Sequence, residues 1–399
     1  MNEPDPDRRR RIALYSHDTV GLGHLRRNLA IASVLVQDSV PTDVLLISGS
    51  RESISFAVPD GIDFLTLPAL AKRDGAYTPR TLAATLAEVV DLRSRIIAAA
   101  LTSFEPDVLI VDKVARGVCG ELDLAMRCLA GRTRCVLGLR DVLDDVSTTR
   151  TEWLASGLSR VVAERYDAVW VYGDPTVFDL TVEYGWTARI TERLTFTGYL
   201  AHGRPGSSTP ADPATPQAPY VLCLVGGGQD GVALADAFTA ERLPEGREGV
   251  VVTGPYMDPV QRGRLVERAA RRRDLTVYEF VEGCAGLIAG ADAVVSMGGY
   301  NTVCELLAAG SRPLIVPRVK PRTEQLIRAK RLAARGLVDV LHPDRLTSAA
   351  LAGWLGGSGR TVVATGTPVD LCGLARIPGL VDRLLVSRPV GQRPADHAA

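Results

Sequence analysis

The sequence predicts an α/β protein of two Rossmann-like, doubly wound domains that face a central cleft. Three observations predict it. Apolar runs alternate with segments of helical spacing, a Pro- and Ser-rich stretch at 201–220 divides the chain, and strands in both halves lead into glycine-rich turns. Because ligands of open α/β sheets bind at the carboxyl ends of the strands, the cleft between the sheets is the expected site.

The first half alternates strands and helices. Residues 11–17 form an apolar run typical of a parallel strand buried on both faces, and residues 25–37 place apolar side chains at helical spacing. Further strands are predicted at 42–49, 62–68, 105–112, 134–141, 166–174 and 193–200, and further helices at about 79–103 and 150–165. This alternation predicts right-handed crossovers around one sheet.

A second sheet follows the Pro- and Ser-rich stretch, which has the composition of a linker. Its strands are predicted to begin at 220, 248, 275, 291, 312 and 337. We therefore divide the chain into a first domain (1–203), a linker (204–218), a second domain (219–370), and a C-terminal helix with a disordered tail (371–399).

Composition limits the classes of partner. Lys plus Arg and Asp plus Glu both total 46 in 399 residues, so no global charge favours nucleic acid, and we expect no such partner. The seven scattered cysteines indicate reduced thiols and a cytoplasmic protein. We expect no transmembrane segment, while peripheral membrane contact stays open. The five histidines form no ligand-spaced cluster, so we expect no metal site.

One glycine-rich junction follows the first strand of the second half, in the sequence LVGGGQDG (224–231). Gly226, Gly227 and Gly228, with Gln229, would let a backbone approach a phosphate at the start of a helix, where free N–H groups favour an anion. The alternative is a glycine-rich turn without a ligand.

A second junction, SMGGYNTVCELLAAG (296–310), has the same strand–glycine–helix order. Thr302 and Glu305 lie three residues apart and therefore share one face of the helix. By spacing alone, the pair is read as part of a capping box. The alternative hypothesis is that the Glu305 carboxylate accepts hydrogen bonds from ribose hydroxyls.

At this point the motifs resemble a known family. The sequence GGYNTVCELLAAGSRPLIVPR, followed by EQLIRAKRLAARGLV, is similar to the C-terminal domain of glycosyltransferase family 28, and the likeness runs over roughly 220–341 and weakly over 11–36. It implies a GT-B fold and a nucleotide-diphosphate sugar held chiefly by the second domain. It implies no further cofactor and no metal.

The resemblance assigns donor-binding roles to eight positions. These positions would lie around the diphosphate (Gly298, Gly299, Tyr300, Thr302), hold the ribose (Glu305), border the base (Phe280, Val281) and face the donor sugar (Gln325). Tyr300, Asn301 and the basic RVKPR segment depart from the residues usual in the family, which leaves the identity of the donor sugar open.

The first strand leads into GLGHLRR, which matches the family's glycine loop through Gly21, Gly23 and His24. A neutral histidine at a helix start can remove a proton near neutral pH, so we predict that His24 is a general base. A lone histidine is more often structural, which is the alternative. Arg26 is expected to contact phosphate, with a solvated surface role equally open.

Polar residues end several strands of the first sheet. His17 ends the first strand and is a weaker candidate for a histidine that faces the cleft. Asp112, Arg140 and Asp141 are candidates for acceptor contacts or for orienting His24. For Asp141 and its acidic neighbours, caps and surface turns are an equal alternative.

We therefore predict a glycosyltransferase that moves a hexosyl group from a nucleotide-diphosphate sugar to an acceptor hydroxyl, with inversion and without a metal. UDP is favoured by the resemblance. The acceptor, whether sugar, lipid or small molecule, is unknown. One alternative is a nucleotide-sugar hydrolase, since G-x-G-H-x-x-R is also similar to the hydrolases of pseudaminic acid synthesis. The other is a non-catalytic sugar-nucleotide binding protein.

Overall fold

The structure is a computed structural model, and it describes most of the chain. The described residues are 8–17, 23–50, 58–73, 76–204, 216, 219–240, 243–281, 283–358 and 368–387. Gly21, most of the predicted linker and the predicted disordered end of the tail lie outside them.

A parallel sheet forms the centre of the first half. Within the described residues it has seven strands in the order β3-β2-β1-β6-β7-β8-β9. They are β1 (Arg10–Ser16), β2 (Thr42–Ser48), β3 (Ile62–Thr66), β6 (Val108–Asp112), β7 (Arg134–Arg140), β8 (Ala168–Tyr172) and β9 (Leu194–Phe196), and a separate hairpin joins β4 (Leu70–Arg73) to β5 (Ala76–Pro79). The central strands are buried on both faces, as the continuous apolar runs predicted.

Helices cover both faces of this sheet. They are α1 (Gly23–Val36), α2 (Leu86–Phe104), α3 (Asp123–Cys128), α4 (Val146–Ala155), α5 (Leu158–Arg165), α6 (Leu180–Tyr184) and α7 (Ala188–Thr191), with a 3-10 turn at Val118–Gly120. Helix α1 supplies nine buried residues to the packing, which accounts for its strongly apolar sequence.

The second half is also a parallel sheet surrounded by helices. Six parallel strands are described, in the order β12-β11-β10-β13-β14-β15. They are β10 (Tyr220–Leu224), β11 (Glu248–Val252), β12 (Leu275–Tyr278), β13 (Ala293–Ser296), β14 (Leu314–Ile315) and β15 (Asp339–Val340). The surrounding helices are α8 (Val232–Ala240), α9 (Pro259–Ala270), α10 (Ala285–Gly290), α11 (Tyr300–Ala308), α12 (Glu324–Ala333) and α13 (Ser348–Ser358), with a 3-10 turn at Pro343–Arg345.

The last helix, α14 (Gly373–Val386), returns to the first half and packs against α1. An ion pair of 2.6 Å joins Arg10 Nη2 to Asp382 Oδ1, and a β-bridge joins Leu200 to Cys372. The end of the chain therefore completes the layer around the first sheet.

Two helix predictions differ from the structure. The helix expected at 79–103 begins at Leu86, because Thr85 forms a capping box with Glu88; the hairpin ends at Pro79, and residues 80–85 connect it to the helix. The helix expected at 150–165 is two helices, α4 and α5, separated at Gly157, whose φ of 59° is left-handed. The predicted class of two parallel-sheet α/β domains is confirmed.

Candidate active site

A cleft of about 290 Å³ lies between the carboxyl ends of the two sheets. The first half contributes the start of α1 and the ends of β6 and β7. The second half contributes the β10–α8 turn and the starts of α11 and α12. The predicted residues on its wall are Gly23, His24, Arg26, Arg140, Gly226, Gly227, Phe280, Val281, Gly299, Tyr300, Thr302, Glu305 and Gln325.

His24, on this wall, forms a hydrogen-bonded pair with Asp112, which is fully buried and is not itself among the lining residues. His24 lies on the first turn of α1, and its Nδ1 is 2.8 Å from Oδ2 of Asp112, the last residue of β6. The buried carboxylate also accepts from Arg27 Nη2, at 2.6 and 2.5 Å from its two oxygens. Both donors thus converge on Asp112, although Arg27 Nη2 also lies 2.9 Å from His24 Nδ1.

The charge of Asp112 follows from these contacts. Burial by itself would raise the pKa of its carboxyl group, but the Arg27 guanidinium and His24 outweigh burial and hold that pKa well below its usual range. An ionised carboxylate next to Nδ1 favours the tautomer with the proton on Nδ1. Nε2 of His24 is then the basic nitrogen.

His17 lies behind His24 at the end of β1. The two ring centroids are 5.0 Å apart, and the His17 side chain is buried. Burial, together with His24 and Lys113, lowers the pKa of His17 well below its ordinary value, so its ring is neutral. Its Nδ1 has no hydrogen-bond partner among the described residues.

The start of α11 provides an anion-binding geometry. Gly299 is the residue before the helix, and no side chain caps it. The N–H groups of the first turn and the positive end of the helix dipole therefore lie at the cleft. Gly298 lies just behind, where a Cβ would come within 3.3 Å of the Gln325 carbonyl oxygen, so glycine permits close approach of α11 and α12.

The glycines of the β10–α8 turn have two different structural roles. Gly226 and Gly227 lie on the cleft wall, whereas Gly228 and Gln229 do not. Gly228 has a φ of 94°, and a Cβ there would lie 2.2 Å from the carbonyl oxygen of Thr253. Gly228 therefore allows tight packing of the turn, which differs from its predicted role at the donor.

Glu305, the expected ribose ligand, makes an ion pair across the cleft. Its Oε1 lies 2.7 Å from Arg26 Nη2 on α1, and its side chain is buried. Arg26 was expected to contact phosphate. In the structure each of these two predicted ligand residues is the partner of the other.

The expected base and sugar residues lie on adjoining parts of the wall. Phe280 is 45% exposed, an unusual position for a phenyl ring, and Val281 next to it is buried. Gln325 at the start of α12 accepts a hydrogen bond of 3.0 Å from the backbone N–H of Arg318 through Oε1.

Tyr300 and Asn301 line the cleft and also make contacts between the two halves, and the position of Tyr300 around a diphosphate stays a prediction. The Tyr300 hydroxyl accepts from the Leu200 N–H at 3.2 Å, and its ring packs against two guanidinium groups. Asn301 Nδ2 donates to the Gly23 carbonyl at 2.8 Å.

Asp141 lies outside the cleft lining, so it does not make the acceptor contact considered for it. Its two carboxylate oxygens accept from Arg328 of α12, at 2.6 Å from Nη2 and 2.7 Å from Nε, and the pair is fully buried. Tyr199 donates a third hydrogen bond to it. Asp141 therefore joins the two halves. The nearby Asp145 caps α4, which agrees with the alternative that these acidic residues form helix caps and surface turns.

Sequence reasoning missed a charged cluster on the same wall. The cluster consists of Lys113, Arg318, Arg322 and Glu324, next to the predicted Arg140. Two signals were present in the sequence: Lys113 follows directly after a buried strand, and the remaining three lie in or next to the basic RVKPR segment.

The described ranges contain neither a cluster of metal-ligating side chains nor a helix able to span a membrane. No group of three or more His, Cys, Asp and Glu side chains in these ranges is arranged to hold a metal ion. None of the helices in the same ranges has the length and apolar character needed to cross a membrane.

Comparison with known proteins agrees with this architecture. Residues 221–353 match the glycosyltransferase family 28 C-terminal domain. The chain is 26% identical over 344 residues to the UDP-N-acetylglucosamine–N-acetylmuramyl-(pentapeptide) pyrophosphoryl-undecaprenol N-acetylglucosamine transferase of Solidesulfovibrio magneticus, covering 83% of this chain and 84% of the relative. Further relatives of that name are matched over shares of their length that range from 24% to 57%.

Solved structures share the fold. Acinetobacter baumannii MurG has a TM-score of 0.56 at 17% identity, covering 94% of this chain and 99% of the other. The S. aureus MnaA–UDP complex has a TM-score of 0.64 at 10% identity, covering 98% and 100%. The fold is therefore GT-B, and the chain resembles the glycosyltransferases of family 28.

Proposed function

We propose that this chain, which resembles the GT-B glycosyltransferases of family 28, transfers a hexosyl group from a nucleotide-diphosphate sugar to an acceptor hydroxyl. The hydrogen-bonded pair of His24 and Asp112 is the observation that carries the proposal. The pair supports a basic Nε2 on His24, which lines the same cleft as the uncapped start of α11, a helix start suited to a diphosphate.

His24 is the general base of the proposed reaction. Its Nε2 takes the proton of the acceptor hydroxyl as that oxygen bonds to the anomeric carbon of the donor sugar. The bond from this carbon to the diphosphate breaks, and its electron pair leaves with the nucleoside diphosphate. Attack opposite the leaving group inverts the anomeric centre. Asp112 keeps the ring oriented and stabilises the imidazolium that forms.

The leaving diphosphate is stabilised by groups of the second half and by α1. The first turn of α11 offers backbone N–H groups and the positive end of its dipole, and no metal is assigned a role. Arg26 completes the site once it exchanges Glu305 for phosphate, and Glu305 is then available for the ribose hydroxyls. A UDP-linked donor is supported by the UDP-N-acetylglucosamine in the relative's name.

The test measures UDP release from a panel of UDP-sugars, with and without sugar and lipid acceptors. We expect release that depends on an acceptor, and His24→Ala should lower turnover by about 10²–10⁴-fold because the general base is lost. Its UDP affinity, measured by calorimetry, should stay within about threefold of the parent's, a free-energy difference under about 1 kcal/mol.

His202→Ala is the matched control, since His202 is exposed and lies away from the cleft wall. Turnover that survives in His24→Ala contradicts the assigned base. UDP release that needs no acceptor and yields free sugar replaces transfer with hydrolysis. Tight UDP binding without turnover on any pair of substrates points instead to a binding protein.

A further inference from the structure

Lys113 is an uncompensated cation on the cleft wall. It directly follows Asp112 at the end of β6, and among the described residues its ammonium group has no ion pair or hydrogen bond. Its backbone is held at a φ of 68°, with its N–H donating to the Gly138 carbonyl at 2.8 Å. Such a left-handed conformation is uncommon for lysine and is typical of positions that direct a side chain to a functional site.

The neighbouring cations already have carboxylate partners. Arg318 pairs with Asp230 at 3.1 Å, and Arg322 pairs with Asp144 at 3.1 Å and with Glu152 at 2.7 Å. These pairs leave Glu324 to balance the remaining arginine of the wall.

That remaining arginine is Arg140 at the end of β7. Its Nη1 lies 3.9 Å from Glu324 Oε1, which also contacts Arg318 at 2.5 Å. Both side chains are largely buried, and Oε2 of Glu324 has no partner among the described residues. Among these cations of the wall, Lys113 is therefore the one for which the described residues provide no ion pair.

The guanidinium groups nearby affect the protonation of Lys113. Burial, together with the charges of Arg140 and Arg322, lowers the pKa of Lys113 to about 7, although Glu324 and Asp112 act in the opposite direction. A bound anion next to the ammonium group would restore its charge and relieve the repulsion among these cations.

The position of the charge indicates which part of a substrate meets it. Lys113 directly follows Asp112, the partner of the proposed base His24. The charge of Glu324 acts on its ammonium group, and Glu324 directly precedes the predicted sugar-binding residue Gln325. A group between the base and Gln325 belongs to the transferred sugar, since the diphosphate is assigned to the start of α11.

We propose that the transferred sugar carries a carboxylate, as in a nucleotide-diphosphate hexuronic acid, and that Lys113, supported by Arg140, binds this carboxylate. A carboxylate would supply the ion-pair partner that Lys113 lacks among the described residues. Glu324 Oε2 then accepts from a sugar hydroxyl. This proposal rests on the proposed function, because the sugar must arrive on a nucleoside diphosphate.

Calorimetry at pH 7 tests the proposal with UDP, UDP-glucose, UDP-glucuronic acid and UDP-galacturonic acid. We expect at least one uronate to bind about tenfold more tightly than UDP-glucose. Lys113→Met should abolish this preference, and Lys113→Arg should retain most of it. Lys330→Met is the matched control, because Lys330 is exposed on α12 and should leave the preference intact.

The outcomes separate the two proposals. If UDP and UDP-glucose bind but neither uronate binds more tightly, the carboxylate site is wrong and the proposed function stands. If a uronate preference persists in Lys113→Met, the assignment to Lys113 is wrong. If UDP itself does not bind, the proposed function and this inference both fail.

Discussion

At the residue scale, Asp112 connects two parts of the candidate site. The same buried carboxylate pairs with Arg27 and orients His24, so it compensates a buried guanidinium and selects the tautomer of the proposed base. Removing it would leave Arg27 buried without a partner, an arrangement that is strongly destabilising. Loss of activity in an Asp112 variant must therefore be interpreted together with its stability.

Lys113 gives a residue-scale prediction about stability and pH. Its folded pKa of about 7 lies below the value of about 10.4 for lysine in an unfolded chain. Between these values the unfolded state binds more protons, so the contribution of Lys113 to stability is most favourable above pH 10 and is lost as pH falls towards 7. Lys113→Met should therefore raise Tm at pH 7 by about 2–4 °C.

The measurement is a series of thermal melts from pH 6 to pH 9 without ligand. The advantage of Lys113→Met should be greatest at pH 6 to 7 and should shrink as pH rises. The charged groups around Lys113 are Arg140, Arg322, Glu324 and Asp112. Arg322, Glu324 and Asp112 stay ionised over this range and His17 stays neutral, whereas burial lowers the pKa of Arg140 to about 10, so the comparison is made below pH 9. A difference in Tm that does not vary with pH contradicts the prediction.

At the element scale, the β10–α8 turn shows that adjacent glycines have different physical roles. Gly226, with a φ of 66°, faces open space, whereas Gly228, with a φ of 94°, packs against the backbone of the loop after β11. An alanine at Gly226 must adopt a left-handed conformation, which costs about 1–2 kcal/mol. An alanine at Gly228 must in addition displace the Thr253 carbonyl.

We therefore predict that Gly228→Ala lowers the free energy of unfolding by about 3 kcal/mol, and that Gly226→Ala lowers it by about 1–2 kcal/mol. Urea unfolding of both variants, followed by circular dichroism, measures the two values. Equal losses would show that the contact of Gly228 with Thr253 does not constrain this turn.

At the scale of the whole molecule, buried polar contacts hold the two halves together around the cleft. Asp141 on the first half binds Arg328 on the second, and Tyr300 packs against Arg328 and Arg27. The ion pair of Arg26 and Glu305 lies across the cleft itself. Binding of a donor therefore requires exchange of at least one contact between the halves.

The Asp141–Arg328 pair gives a prediction at this scale. Asp141→Asn keeps the shape of the side chain but leaves the Arg328 charge buried without its counter-ion, so it should lower the free energy of unfolding by about 3–5 kcal/mol. Chemical denaturation measures the loss. Small-angle scattering of the variant should also show an increased radius of gyration, because the halves separate more readily.

Glu183→Gln is the matched control. Glu183 on α6 pairs with Arg331, which lies on α12 as Arg328 does, but both of these side chains are partly exposed. Its loss should change stability by about 0–1 kcal/mol. If the two variants lose similar stability, burial of the Asp141–Arg328 pair is not what holds the halves together.

Local patterns in the sequence determined the architecture and many wall residues. Continuous apolar runs predicted the buried parallel strands, and glycine-rich turns at their ends predicted where the cleft lies, since parallel strands bring their carboxyl ends to one edge. His24, Arg26 and Glu305 were found in this way, because each lies beside a glycine-rich junction, whereas Gln325 was assigned by the family resemblance. The fold class is confirmed, and the roles of these residues remain predictions.

Only the tertiary structure decided the partners of those residues. Asp112 with His24, Glu305 with Arg26 and Asp141 with Arg328 are 88, 279 and 187 residues apart in the chain. Such pairs depend on how the two halves are placed, and no local spacing encodes that placement. For the same reason the sequence did not predict Lys113 as a site residue. Its charge becomes significant only where burial and neighbouring cations, brought together by the fold, leave it without a counter-ion.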